Sequence, residues 1–196
     1  MPTGDQIQQY VNGAWRLMMG RPDGAQLLDI SADGFWNSFF AMLVAMPPMA
    51  VGWVAMANEI GGDAFGTRLG VVLRLAFVDL ATWVLPLVAL GAAARLVGIA
   101  PRYVAYVVAS NWGSVIFLWL MVIPSLMGLV WPSGRDVTAA VSLLLLFATM
   151  VLSWRLTNAI LGMGITIASG VFAAMFLSSV VLMIALQSLL GLMPYG

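Results

Sequence analysis

A single run without any charged side chain extends from Leu156 to residue 196, closed upstream by Arg155. As one helix it would be about twice the ~30 Å depth of a bilayer's hydrocarbon core. The run must therefore turn back, and Gly162-Met163-Gly164 is where a tight reversal costs least. Similar charge-poor runs of membrane length recur along most of the chain, divided by short Arg, Asp, Gly and Pro segments. Only 8% of the 196 residues are charged and 62% are hydrophobic, against roughly 25% charged in a soluble domain. No aqueous core of this size could hide that much apolar surface, so lipid must be the solvent for most of it. The chain reads as all-α, a polytopic membrane helix bundle with no room for a second, aqueous domain.

Absent residues exclude several chemistries. Histidine is missing, which removes imidazole ligation of haem, most zinc sites and His-based acid–base work. Cysteine is missing, so there are no disulfides, thiolate metal sites or Cys nucleophiles. Ala168-Ser169-Gly170 lacks the G-x-S-x-G frame and any base to activate the serine. Asp29 and Asp33 are not joined by the rest of a carboxylate cluster, and no phosphate or dinucleotide fingerprint occurs. No enzyme, metal or cofactor is expected. Net charge is zero, with all eight basic residues Arg, so nothing points to nucleic acid.

Residues 1–34 are expected to form an amphipathic interfacial segment. Thr3 and Gln6 make a capping box. Ile7, Tyr10, Val11, Ala14, Trp15 and Met18 then fall on one helical face, with Gln8, Gln9, Asn12 and Arg16 on the other. Such a helix either lies in the interface with Tyr10 and Trp15 at headgroup depth, or caps the bundle, and the two are compatible. Gly20-Arg21-Pro22-Asp23-Gly24 ends it in a turn. Nothing here resembles a cleavable signal, and the run from Phe35 is expected to act as an uncleaved anchor.

Residues 35–196 carry the transmembrane bundle, with spans at about 35–57, 71–94, 104–131, 137–158 and 165–190. Five spans are expected, or four if the last two regions are re-entrant. Ser31 is the N-cap of the first span, and Pro47-Pro48 should kink it. Trp131-Pro132-Ser133-Gly134 ends the third. With five spans, Arg16, Arg21, Arg95, Arg102 and Arg155 share one side, and Arg68, Arg74 and Arg135 the other. The excess of Arg on the first side predicts a cytoplasmic N-terminus.

Three features are candidates for function. Gly162, Thr166, Gly170, Ala174 and Ser178 recur every fourth residue as a stripe of small side chains, and Ala105, Ala109 and Gly113 repeat it on span three. Small residues let helix backbones approach closely. The long stripe therefore packs span five against span three or forms a homo-oligomer interface. Asp79 is an acid embedded near the start of an apolar span, and a lone carboxylate in hydrocarbon needs a partner or water. Arg74 lies five residues away, about 140° round the helix. Asp79 is either ion-paired near the outer interface, with Arg68 and Arg135 in reach, or an ion or proton site. Asn111 cross-links helices or contacts a substrate. Arg95, Arg102 and Arg155 suit anionic lipid headgroups.

The segment Ala14-Trp15-Arg16-Leu17-Met18-Met19-Gly20-Arg21-Pro22, with Ala109-Ser110-Asn111-Trp112 in the third span, resembles the bacterial branch of the Yip1 family. The resemblance covers roughly Gln6 to Leu190 and is carried mainly by architecture. It implies a five-span fold with a cytoplasmic N-terminus in the bacterial inner membrane, and protein or lipid partners. The small-GTPase interaction of eukaryotic relatives, which belongs to a longer N-terminal region, is not expected. An organising or accessory membrane protein is thus one expectation. A small transporter or channel component with a polar path around Asp79, Asn111, Thr82 and Arg74 is the other. Convergence of Asp79, Asn111 and Arg74 on an internal cavity would favour transport, and an Asp79–Arg pair without a cavity would favour packing.

Overall fold

A computed structural model describes residues 1–62, 64–131 and 134–192. Seven α-helices follow one another: α1 (Gly4–Met18), α2 (Ala32–Ser38), α3 (Ala41–Ile60), α4 (Phe65–Ala93), α5 (Tyr103–Val130), α6 (Arg135–Leu161) and α7 (Ile165–Leu189). No strand occurs among the described residues. Five segments are long and apolar enough to cross a membrane, at Ala32–Ile60, Phe65–Ala93, Ala100–Gly128, Arg135–Leu161 and Ile165–Leu189. The last two are full-length helices, which removes the four-span alternative. Pro132, Ser133 and residues 193–196, where the expected end of span three and of the bundle fall, lie outside the described residues.

Local chemistry sets the ends of the elements. Thr3 Oγ1 accepts from Gln6 N–H while the Gln6 side chain accepts from Thr3 N–H, the reciprocal cap expected of this spacing. Ser31 Oγ accepts from Gly34 N–H, and Asp29 Oδ1 accepts from Ser31 N–H at 3.0 Å. Hydrogen bonding to Ser31 holds the Asp29 carboxyl below the usual range, first through the Ser31 side chain and then its backbone. Gly162 (φ 61°) and Gly164 (φ 92°) make the α6–α7 reversal in conformations that disfavour any Cβ.

The first span breaks elsewhere than expected. Ser31 caps only α2, and the chain tightens through i→i−3 bonds at Phe39 and Phe40 before α3 begins. Pro47 and Pro48 instead sit inside an unbroken α3. Pro48 has no N–H for the Val44 carbonyl, and the Trp119 indole N–H of α5 donates to that oxygen at 3.3 Å. A neighbouring helix thus repairs the ladder. α4 begins at Phe65 rather than near residue 71, so Asp79 lies halfway along it rather than near its start.

The helices α3, α5, α6, α7 and α4 each pack on the next in that order, and α4 returns to α3, which closes a five-helix ring. Outward faces carry Leu73, Phe77, Val88, Leu144, Phe147 and Val181 exposed, the surface a lipid solvent requires. α1 and α2 lie outside the ring, α1 against α5 and α6, α2 against α5. The main core is therefore off-centre. Tyr10, Ala14, Leu17 and Met18 of α1 are buried with Val108, Trp112, Leu156 and Ile160. Tyr10 stacks at a tilt on Trp112, 5.2 Å between centroids, and is buried as in the bundle-capping alternative, while Trp15 is exposed. Burial, and to a lesser extent Asp29, raise its hydroxyl above the ordinary range.

Candidate functional site

The ring encloses a partly open cavity of about 430 Å³, to which all five of its helices contribute. Asp79, Thr82 and Trp83 come from α4, Tyr106, Ser110, Asn111 and Ser114 from α5, and Ser153 and Thr157 from α6. Helical spacing explains the grouping. Residues 79, 82, 83 and 110, 111, 114 each recur at three and four, so each set shares one face. On α7 the cavity-facing Phe172, Met175, Phe176, Ser179 and Met183 follow the same rule.

Two of the three polar residues singled out from sequence meet here. Asp79 Oδ2 accepts from the Trp53 indole N–H of α3 at 2.7 Å. No arginine among the described residues lies within ion-pair distance of Asp79, so the expected interfacial pair with Arg68 or Arg135 does not form. Asn111, fully buried, joins three elements. Its Nδ2 donates to Ser38 Oγ of α2 at 2.9 Å, and its Oδ1 accepts from Trp83 Nε1 at 2.9 Å. Arg74 is elsewhere. Its Nη1 donates to the Leu190 carbonyl at 3.1 Å, where a cation suits the C-terminal end of α7. It points away from the cavity because the ~140° that separate it from Asp79 round α4 place it on another face.

Hydroxyl groups on the wall have mostly committed their protons. Thr82 donates to the carbonyls of Val78 and Asp79, Ser110 to Val107, Ser114 to Ser110 and Thr157 to Ser153. Such side chains offer the cavity lone pairs rather than donors. Pro86 adds to this by leaving the Thr82 carbonyl without its i+4 N–H.

The small-residue stripe has the opposite fate. Gly162, Thr166, Gly170, Ala174 and Ser178 are all exposed; Gly162 lies in the turn before α7, and the other four are about 180° round α7 from the cavity face at ~100° per residue. A Cβ at Gly170 would meet nothing within 4 Å. α7 packs on α4 and α6 and makes no substantial contact with α5, so the expected packing of span five on span three does not occur. The reason is that α1 and α6 take the small face of α5. A Cβ at Gly113 would lie 2.8 Å from Leu156 Cδ1 and 3.0 Å from Met18 Cε. Among the proposed headgroup residues, Arg95, Arg102 and Arg155 are exposed. Arg155 Nη2 donates to the Met19 carbonyl at 2.7 Å, which closes the C-terminus of α1, and borders a hollow with Gly20, Trp154 and Asn158.

Sequence reasoning missed the partners of Asp79 and Asn111, which are Trp53, Trp83 and Ser38, and most of the wall, including Tyr106, Ser114, Thr157 and Ser179. Both tryptophans lie inside apolar spans rather than at their ends, where interfacial Trp gathers, and that position was the available signal. Fold and cavity together define a five-span helical bundle around a mostly apolar hollow that carries a few polar groups. No family model matches the chain, and neither a curated protein nor a solved structure matches it.

Proposed function

We propose that the chain is a small membrane protein of transporter or channel-component type whose cavity binds a solute. The observation that carries this reading is the convergence of Asp79 and Asn111, from two helices, on one hollow inside the ring, with Asp79 unpaired by any described arginine. A carboxylate and hydroxyls kept at membrane depth are costly, and they gather around solute or ion paths. The test is a thermal-shift screen of small amines, carboxylates, sugars and alcohols in detergent. Solutes that protect the parent should lose that effect when Ser114→Leu or Ser179→Phe fills the cavity. Hits should then exchange across proteoliposomes in counterflow. Unaltered protection in both filled variants would refute the site.

A second reading keeps the organising, Yip1-like role, without catalysis, through homo-oligomer, membrane-protein or lipid partners. The exposed stripe from Gly162 to Ser178 favours it, because small residues facing outward invite a second helix. Cross-linking or native mass spectrometry in lipid tests it, and a monomer without partners would sink it. Residence in a bacterial inner membrane with a cytoplasmic N-terminus belongs to both readings, and reporter fusions at either end check the orientation.

A further inference from the structure

We infer that the ligand of this cavity is a monovalent organic cation whose charged group sits at Asp79 and whose apolar body lies on Phe172, Phe176 and Met183. The inference rests on the cavity being a ligand site and adds the class of ligand. Asp79 is the single carboxylate on the wall, and no arginine lines it. Its Oδ2 takes one N–H from Trp53, while Oδ1 has no hydrogen-bond donor among the described residues. A carboxylate in a low-dielectric interior stays ionised only beside a positive partner or water. The nearest arginine in sequence, Arg74, is engaged at Leu190 instead.

Hydrogen bonding points the same way. The donors of Thr82, Ser110, Ser114 and Thr157 go to helix carbonyls, and the indoles of Trp53 and Trp83 go to Asp79 and Asn111. Tyr106, Ser153 and Ser179 keep hydroxyls that can donate to a ligand, but the one ionisable side chain with a charge to offer is the acid Asp79, which selects a cation over an anion. One charge matches one charge, so a dication would bring an uncompensated positive charge into the bundle. A bare metal ion would need about six oxygen ligands, and the remaining wall is aromatic and thioether instead. Aromatic faces favour an organic ammonium through its cation–π attraction. About 430 Å³ suits a ligand of that kind.

The experiment uses the full chain in lipid nanodiscs and equilibrium dialysis with benzyltrimethylammonium, tetraethylammonium, benzenesulfonate and benzyl alcohol. At least one cation should bind saturably and more tightly than both other probes. Asp79→Asn should weaken it by about tenfold or more, the loss of one ion pair in a low-dielectric site, and Asp79→Glu should restore part of it. The comparison of probes on the parent protein needs no variant, so a misfolded Asp79→Asn leaves the test intact. Equal binding of cation and neutral probe, or an Asp79→Asn variant that folds and binds unchanged, overturns the cation assignment. If benzenesulfonate or benzyl alcohol binds best and Ser179→Phe abolishes it, the cavity reading stands and this one falls. If no probe binds and the solute screen is also blank, both fall.

Discussion

Asn111→Leu keeps the side chain's volume and removes two interhelical hydrogen bonds at once, to Ser38 and from Trp83, each 2.9 Å long. Such bonds inside membrane proteins average ~0.6 kcal/mol and reach ~1.7 kcal/mol. Asn111 is fully enclosed, which places both toward the upper part of that range. The Trp83 N–H is left without its acceptor, a further loss of about 1 kcal/mol. The variant should therefore lose roughly 3–4 kcal/mol of stability. Trp83→Phe removes one of the same bonds and should cost about 1 kcal/mol. The double variant should fall short of the sum by ~0.6–1.7 kcal/mol, because the bond can be lost only once. Reversible unfolding in bicelles, or steric trapping in lipid, measures all three. An Asn111→Leu variant within ~0.5 kcal/mol of the parent, or losses that simply add, would refute the claim that this amide ties α2 and α4 to α5.

Other expectations follow from single contacts. Trp119→Phe should cost about 0.6 kcal/mol in the parent and nothing in a Pro48→Ala background, where the backbone N–H restored at that position supplies the Val44 carbonyl; equal costs in both would remove the repair. Gly162→Ala forces a Cβ into a φ of 61° and should lower unfolding stability by ~1–2 kcal/mol, whereas Gly66→Ala, in a helix with open space, should be neutral or stabilising. Asp29 is stabilised as a carboxylate in the folded chain, so its contribution is complete above its ordinary value of 3.8 and is lost as pH falls below that. The protection factor of the Ser31 amide, its exchange relative to the intrinsic rate at each pH, should fall on acidification through that window, and Asp29→Asn should abolish that fall; an unchanged protection profile in Asp29→Asn would contradict the assignment.

What could be read from sequence was what neighbouring residues decide. The Thr3–Gln6 box, the Ser31 cap, the Gly162–Gly164 reversal and the number of spans depend on separations of a few residues or on helix-length hydropathy. The site was half legible. Asp79 and Asn111 stood out because polar groups in apolar spans carry a cost, but their partners are 26 and 28 residues away for Trp53–Asp79 and Trp83–Asn111, and 73 for Ser38–Asn111. Helix order in a bundle fixes such pairs, and periodicity within one helix does not. The same gap explains the stripe. Its spacing promised close packing, yet the pattern cannot say which face of α7 meets α4 and α6. The amphipathic face of α1 likewise signalled an apolar neighbour without showing that α5 and α6, rather than lipid, would cover it.

A water-accessible cavity inside a ring whose outer surface meets lipid is tested at two adjacent serines, one on each side. Ser179 faces the cavity and Ser178 lies on the exposed stripe. Cysteine is absent from the chain, so Ser179→Cys and Ser178→Cys each carry one thiol. Only the thiolate, which needs water to form, attacks the sulfur of a small water-soluble methanethiosulfonate reagent, forming a mixed disulfide and releasing methanesulfinate. In lipid nanodiscs Ser179→Cys should react and Ser178→Cys should not. Equal reaction at both positions, or reaction at Ser178→Cys alone, would contradict an internal aqueous site.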